Sequence, residues 1–237
     1  FGDDEDENII KCGSFTGIGQ TNLGFEPQFL LYKPRSQTAN WELADNMRRL
    51  DGVSSSVLKL EPNSDAAEAG GSEIKINATG FYNGTFGSSY PCIYIAIRRP
   101  MKTPEAGTEV FMPVARTGTG TTAAVTGVGF SPDLFIGNIR DTAGYWNGVV
   151  DRLRGISNRL VSSQTEAENT QTVITSFDMD GLSLTSDGNG FANENGKTYI
   201  EWLFKRATGF MDEVCYTGTG SGTTQAHNLG VVPELVL

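Results

Sequence analysis

The 237-residue sequence has few of the side chains that most enzymes and metal proteins use for chemistry. It contains one histidine, His227, and three cysteines, Cys12, Cys92 and Cys215, none of which form a Cys-x-x-Cys pair. A single histidine and scattered thiols exclude in practice a structural zinc site and disfavour histidine-based hydrolysis. Three cysteines do not describe a disulfide framework, so we expect them to be small buried apolar residues.

Positive charge is also scarce, because 28 acidic residues outnumber 18 basic ones and give a net charge of −10. Nucleic-acid-binding proteins are usually basic, and attachment to anionic lipid needs basic residues as well. The sequence also has no apolar run near the ~20 residues that a membrane-spanning helix needs. We therefore predict neither a nucleic acid nor a membrane as a partner.

Long helical patterns are missing, whereas 29 glycines separate many short apolar runs. Phe29–Lys33, Ile93–Arg99 and Thr198–Arg206 are typical of strands, since they are rich in aromatic and branched residues. A short helical turn is predicted at Glu42–Leu50, with its counterpart at Val150–Arg154. The predicted fold class is all-β, with β-sandwiches of jelly-roll type and an Ig-like sandwich as the alternative.

A tandem repeat of about 100 residues is the most informative pattern in the chain. Glycines, prolines and aromatic residues recur in the same order, with similar offsets between copies. The matched landmarks are Gly17, Gly118 and Gly218; Pro27, Pro132 and Pro233; Trp41 and Trp146; and Tyr94 and Tyr199. Because these landmarks extend over most of a unit, the repeat is domain-sized and is not a solenoid period.

The repeat predicts a division of the chain into two complete copies and part of a third. The predicted segments are an acidic linker at 1–10, a first sandwich at 11–100, a linker at 101–110, a second sandwich at 111–206, and a linker with the first hairpin of a third copy at 207–237. A lone hairpin is marginal in water. We expect the parent polypeptide to be longer, and the alternative is that residues 213–237 pair with another chain.

Two groups of residues are candidates for ligand binding. Asp178, Asp180 and Asp187 are weak calcium candidates, and turns stabilised by aspartate are the alternative interpretation. Trp41 and Trp146 are candidate glycan contacts, although their apolar neighbours favour packing in the core.

No catalytic residue and no cofactor are predicted. A glycosidase pair drawn from Asp178, Asp180, Glu166 or Glu168 would be arbitrary, because the chain has 28 acids. We expect Arg35 and Arg140 to form ion pairs with acids near Asp45 and Asp151.

The order of motifs resembles a repeat found in structural proteins of tailed bacteriophages, especially marine and cyanobacterial phages. The motifs are Tyr-Thr-Gly-Thr-Gly, then Gly-Phe-x-Pro-Asp-Leu, Trp, Asp-Arg-Leu-Arg-Gly, Phe-Asp-x-Asp-Gly-Leu and Asn-Gly-x-Thr-Tyr. The second copy follows them from Arg116 to Arg206, whereas the first departs at Asn77–Phe81. The resemblance brings no catalytic residues with it.

The resemblance implies a non-enzymatic virion component, in a tail fibre, a tail appendage or a fibre on the capsid surface. Its expected partners are other virion proteins and copies of itself, and its expected location is the virion. The main alternative is a lectin-like module that binds host surface glycans. A depolymerising enzyme and a cellular surface adhesin are further hypotheses.

Overall fold

The computed structural model describes residues 9–53, 56–72, 74–84, 90–187 and 190–237. The acidic run Asp3–Glu7 lies outside the described residues. The described chain is all-β, with antiparallel sheets and two 3-10 helices at Asn46–Arg48 and Gly107–Glu109. Within these ranges, no helix has the length and apolarity to cross a membrane.

Contacts within the chain divide it into two compact units. The first is Phe1–Pro100 together with Val214–Asn228, and the second is Met101–Glu213 together with Leu229–Leu237. The main boundary between the two units therefore falls at Pro100.

The described residues of the first unit form nine strands in three hydrogen-bonded sheets. They are β1 (Ile10–Phe15), β2 (Gly19–Asn22), β3 (Pro27–Pro34), β4 (Glu42–Asp45), β5 (Val57–Lys59), β6 (Ala69–Ser72), β7 (Ile74–Asn77), β8 (Gly80–Asn83) and β9 (Cys92–Arg98). The largest sheet has the order β1-β9-β3-β4, and a bridge from Leu43 to Leu60 leads towards the pair β5-β6. The third sheet has the order β2-β8-β7.

In the second unit the described part of the chain also forms nine strands, in two sheets. They are β10 (Phe111–Thr117), β11 (Ala123–Val125), β12 (Leu134–Ile139), β13 (Gly148–Asp151), β14 (Asn158–Val161), β15 (Asn169–Thr170), β16 (Ile174–Asp178), β17 (Gly181–Leu184) and β18 (Thr198–Phe204). The larger sheet has the order β10-β18-β12-β13-β14-β15, and the smaller has the order β11-β17-β16. The strand orders of the two units agree when β1 is matched with β10, β2 with β11, and so on.

The strand register corrects one landmark of the repeat. Cys92 lies opposite Phe15 in the first unit, and Tyr199 lies opposite Arg116 in the second. Because Phe15 and Arg116 are matched positions, Cys92 corresponds to Tyr199, and Tyr94 corresponds to Glu201. The predicted match of Tyr94 with Tyr199 was therefore wrong by two residues. A two-residue slip keeps every side chain on the same face, so the alternating pattern does not reveal it.

Each unit has its own buried core between its sheets. In the first unit it includes Phe15, Phe25, Leu30, Tyr32, Ile74, Phe81 and Tyr94. In the second it includes Val125, Phe130, Phe135, Val150, Ile174, Phe177, Leu182, Leu184, Phe191 and Leu203. Alternate residues of β3, β9, β12 and β18 are buried, as expected for strands with one face in a core.

Two local predictions were wrong. Glu42–Asp45 is a strand, and only Asn46–Arg48 forms a helical turn, of 3-10 type; the counterpart after Asp151 is a plain turn. Residues 212–237 contain no strand, so the predicted third hairpin is absent. In each of the two units the first and third strands pair with the ninth.

Candidate functional site

The two tryptophans that the sequence singled out lie on equivalent loops. Trp41 directly precedes β4 and Trp146 lies two residues before β13, so neither is part of a strand. Trp41 is half-buried, with the Lys33 ammonium 5.7 Å from its ring centre. Trp146 keeps 43% of its surface exposed, so the expectation of core packing was wrong at this position. A loop side chain has no sheet above it to bury it.

Tyr145, which directly precedes Trp146 in the chain, has polar and charged neighbours. Tyr145 lies against Gly190, where an added Cβ would overlap the tyrosine ring. The Lys197 ammonium lies 5.7 Å from the Tyr145 ring centre and donates to Thr142 Oγ1 at 2.9 Å. A hydrogen bond to the Glu194 carboxylate, together with its negative charge, raises the pKa of Tyr145. Tyr145, the chain neighbour of Trp146, thus lies beside a cation and an acid.

An aspartate fixes the strand end next to this surface. Asp141 Oδ2 accepts hydrogen bonds from the Thr198 amide at 2.8 Å and from the Thr198 hydroxyl at 3.0 Å. These contacts, led by the amide bond, lower the pKa of Asp141. The loop before β13 is therefore tied to the start of β18.

A buried polar network lies in the interior of the same unit. Arg116 donates to Glu201 Oε1 from Nε at 2.9 Å and from Nη2 at 2.6 Å. It also donates to Asn193 Oδ1 at 3.1 Å and to the carbonyl of Ala192, and its guanidinium lies 5.3 Å from the Tyr199 ring centre. Glu201 is fully buried and its Oε2 accepts no hydrogen bond within the described chain. This network ties β10 and β18 to the loop at 185–197.

The same loop is held by further buried hydrogen bonds. Asn193 Nδ2 donates to the carbonyls of Thr121 and Thr185 at 2.7 and 2.9 Å. The Asp187 carboxylate accepts from the amides of Ala192 and Asn193 at 2.6 and 3.3 Å. Because each buried polar group costs free energy when unpaired, these contacts fix the loop conformation. The loop then presents Glu194 and Lys197 beside Tyr145.

Burial raises two pKa values in this network. Burial raises the pKa of Glu201, and the neighbouring Arg116 opposes the rise. Burial also raises the pKa of Tyr199 to about 12. Both shifts favour the neutral form of the group, as desolvation does for acids. The network is a set of buried structural contacts, because every polar atom named in it faces another part of the second unit.

The structure does not assemble the three calcium candidates into one site. Asp178 accepts from the hydroxyls of Ser176 and Ser183 at 2.6 and 2.7 Å. Asp180 accepts from the amides of Gly127 and Gly129 at 3.0 and 2.6 Å, which lowers its pKa. Asp187 holds the loop described above. Within the described ranges, no three His, Cys, Asp or Glu side chains form a group that could hold a metal ion.

A clasp that the sequence did not reveal occurs in both units. Asp45 accepts from the amides of Met47 and Arg48 and pairs with the Arg48 guanidinium at 2.6 Å, and Arg48 reaches Glu68 at 3.0 Å. In the second unit Asp151 pairs with Arg154 at 2.5 Å, and Arg154 reaches Glu168 at 2.8 Å. The spacing Asp-x-x-Arg, followed by a distant glutamate, is the sequence signal for it.

The clasp corrects two expectations. Asp45 and Asp151 pair with Arg48 and Arg154, and within the described residues neither aspartate pairs with Arg35 or Arg140. Glu168, one of the acids considered for glycoside cleavage, is part of the clasp and bonds to Arg154.

The cysteines and the histidine do not come together. Cys92 is buried, Cys215 is half-buried and Cys12 is exposed, so the expectation of burial was wrong for Cys12. Burial raises the pKa of the Cys92 thiol, and the negative charge of Glu42 adds to the effect. His227 lies exposed in the C-terminal segment.

Comparison with known proteins gives a family and nothing further. Neither the curated proteins nor the solved structures give a match to this chain. One domain family, described as Domain of unknown function (DUF7483), matches residues 5–89 and 106–237. Because the match takes in parts of both units and most of the sequence, the chain belongs to the DUF7483 family.

Proposed function

We propose that the chain is a non-enzymatic structural segment of a phage virion, built into a tail fibre, a tail appendage or a fibre on the capsid surface. The observation that carries the proposal is that two units share nine strands in one order, as expected for a protein that extends an assembly by repeating a module. The resemblance of the sequence motifs to tailed-phage structural repeats supplies the setting.

In this proposal the two units are tandem jelly-roll-like sandwiches. Two features support it: the matched strand orders, and the occurrence of the Asp45 and Asp151 clasps at the same turn of each unit. The interior differs between the units, whereas the strand framework and the clasp are shared. The shared framework gives both modules the same strand arrangement whatever fills the interior. In this proposal each module therefore serves as a spacer.

The virion assignment is tested with particles of a phage whose genome encodes this chain. Antibodies against the 237-residue protein are coupled to gold and applied to purified particles, with pre-immune serum as the control. We expect label on an appendage, and mass spectrometry of the same particles should find peptides of the chain. Particles free of both label and peptides would overturn the assignment.

A second function, binding of host surface glycans, is favoured by the exposure of Trp146. An exposed aromatic ring beside hydrogen-bonding groups is suited to stack on a sugar ring, because the C–H face of a sugar is apolar and its hydroxyls need partners. Trp146 supplies the ring, and Lys197 and Glu194 supply charged groups near Tyr145. Trp41 is less exposed and has Lys33 over its ring.

The glycan function is tested on an array of bacterial surface saccharides. We expect Trp146→Ala to abolish binding and Trp41→Ala, the matched control on the equivalent loop, to retain it. Equal thermal unfolding of the two variants would show that the loss is local. Binding that survives Trp146→Ala, or an array on which the wild type binds nothing, would remove this function.

A further inference from the structure

The largest sheet of the first unit has an apolar outer face. Side chains that are opposite in register share a face, and the buried residues Leu30, Tyr32, Tyr94 and Ala96 define the inner one. The outer face therefore consists of Ile10, Cys12, Phe29, Leu31, Leu43, Ile93, Ile95 and Ile97, with Ser14 and Lys33 at one end. With the whole chain present, Ile93 and Ile95 keep 38% and 37% of their surface exposed.

The corresponding sheet of the second unit has the same kind of outer face. Its inner residues include Phe135, Glu201 and Leu203, all fully buried. The outer residues are Phe111, Pro113, Ala115, Leu134, Ile136, Val149, Ile200, Trp202 and Phe204, with Asn138 at one end. All of these are half-buried or exposed, and Phe210 stacks on Phe204 at one corner with ring centres 6.5 Å apart.

The outer faces are matched row by row. In the first unit the central row is Cys12, Ile95, Leu31 and Leu43, continued by Leu60; in the second it is Pro113, Trp202, Ile136 and Val149, continued by Leu160. In each unit the neighbouring row, which contains Phe29 or Leu134, ends at the aspartate of the clasp, Asp45 or Asp151. Apolar character is thus retained on both outer faces, although the inner faces differ. Isolated exposed apolar residues need no explanation, but a contiguous apolar sheet face marks an interaction site.

Charge argues that the partner is another copy of the chain. The net charge of −10 makes two copies repel over most of their surfaces. Among the described residues, each outer face carries one carboxylate, and these two, Asp45 and Asp151, are already paired with arginine. Two acidic chains can therefore pack through these faces with little repulsion between carboxylates. Flat apolar sheets also pack well on one another, at about 10 Å separation.

The area is sufficient for such an interface. Four strands about 4.8 Å apart and six residues deep at about 3.4 Å per residue cover roughly 400 Å². Two such faces give about 800 Å² per chain, which is what each partner buries in a specific interface of standard size.

We infer that the outer faces of the β1-β9-β3-β4 and β10-β18-β12-β13 sheets are self-association surfaces that pack against the same faces of a second copy. The inference deepens the proposed structural role, since it assigns the surface through which copies of the chain assemble, and it rests on that proposal only for its biological setting.

The test uses the full 237-residue chain and two variants in the middle of the faces, Ile95→Glu and Trp202→Glu. The matched control is Met179→Glu, because Met179 is 75% exposed in the turn between β16 and β17 and lies off both faces. Sedimentation equilibrium should give a multiple of 25.5 kDa for the wild type and for Met179→Glu. Each face variant should give a lower mean mass, and the double variant should give 25.5 kDa.

The thiol of Cys12 provides a second readout that needs no substitution. Cys12 lies on the outer face of the edge strand β1 and is exposed in the single chain. Its alkylation should be slowed several-fold in concentrated protein and should recover on dilution. This measurement decides the matter if a face variant fails to fold.

A wild-type mass of 25.5 kDa at concentrations up to about 100 µM, where a micromolar interface would be occupied, would overturn the inference. A mass that the face variants leave unchanged would also overturn it. Either result leaves the virion assignment standing, whereas particles that lack the chain would remove that assignment and leave the interface in place.

Discussion

The two units share one strand framework but carry aromatic side chains in one interior and charged side chains in the other at the same positions. In the first unit Phe15, Phe81 and Tyr94 form edge-to-face aromatic contacts, with ring centres 5.4 and 5.5 Å apart. In the second unit Arg116 and Glu201 stand where Phe15 and Tyr94 stand in the first, and they form a buried ion pair. The strand register that defines these positions is the same in both units.

The side chains also differ at a second pair of matched positions, where β3 pairs with β4 and β12 pairs with β13. Tyr32 donates to Glu42 at 2.6 Å, and Lys59 donates to the same carboxylate at 2.5 Å. The residues opposite each other at this point in the second unit are Gly137 and Gly148.

Phe191 occupies the space beside Gly148, whereas the Phe135 ring lies against Gly137. A Cβ on Gly148 would overlap the Phe191 ring, and the Arg159 guanidinium lies 5.3 Å from the centre of that ring. In one unit a polar triad fills the space, and in the other an aromatic side chain from a loop does so.

The comparison teaches that the framework of a unit does not depend on which interior fills it. The second unit has the longer connection before its last strand, residues 185–197 against 84–91, and its polar interior ties down that connection through Arg116, Asn193 and Phe191. The polar interior thus positions Glu194 and Lys197 beside Tyr145.

The largest effect is expected from breaking the buried ion pair. Arg116→Met leaves the Glu201 carboxylate fully buried without its partner, which costs about 3–5 kcal/mol of unfolding free energy. Phe15→Leu, at the matched position of the first unit, keeps an apolar side chain and should cost less than about 1.5 kcal/mol. Urea unfolding of the full chain measures both.

The pattern of unfolding provides a further check on this comparison. We expect Arg116→Met to separate an early transition of the second unit from a later transition of the first. Equal costs for Arg116→Met and Phe15→Leu would show that the ion pair is not the element on which the second interior depends.

The next largest effect is expected at the space that Phe191 fills. Gly148→Ala places a methyl group inside the Phe191 ring, so the ring must move or the strand must shift, at a cost of about 1–3 kcal/mol. Gly107→Ala is the matched control, because an added Cβ there meets no atom within 4 Å. Hydrogen exchange should show faster exchange of loop amides in Gly148→Ala alone. Unchanged loop exchange would mean that Phe191 does not anchor the loop.

The clasps are predicted to be equivalent in the two units. Asp45→Ala and Asp151→Ala each remove an acceptor for turn amides and a partner for arginine, and each should cost about 1–2 kcal/mol. Thermal unfolding of the two variants should therefore give similar shifts of Tm for the unit concerned. A large difference between the two variants would contradict the view that the clasp belongs to the shared framework.

The strands were predictable because their pattern is local. Runs such as Phe29–Lys33 and Ile93–Arg99 alternate or stay apolar over one strand length, and the structure contains a strand at each. The landmark Tyr94 was misplaced, since a slip of two residues preserves the inward face and the alternation looks the same. Only hydrogen-bond register distinguishes the two alignments.

The polar interior of the second unit was not predictable in the same way. Arg116 and Glu201 are 85 positions apart, and each looks in isolation like a solvent-facing charge on a strand. Their contact depends on β10 pairing with β18, which is a long-range event. The predicted burial of Trp146 was also wrong. Its apolar neighbours in the sequence suggested burial, whereas its loop places it at the surface.

The smallest predicted effect is the pH dependence of the same ion pair, where burial and Arg116 act in opposite directions. The pKa of Glu201 is raised in the folded chain, so the folded state holds its proton at pH values where the unfolded state has lost it. The free energy that this group contributes is therefore fully present below its ordinary pKa of 4.5 and is lost as the pH rises through the folded pKa. Glu201→Gln keeps an acceptor for Arg116 but does not titrate.

The measurement is the urea midpoint of wild type and Glu201→Gln between pH 4 and about 7, with the difference plotted against pH. Taking the difference cancels the other carboxylates, which titrate in both proteins. We expect the urea midpoint of the wild type to fall relative to that of Glu201→Gln as the pH rises. The opposite slope would mean that Arg116 lowers the pKa of Glu201 more than burial raises it. In that case the ion pair would stabilise the second unit directly, and the two interiors would differ in chemistry but not in how they contribute to stability.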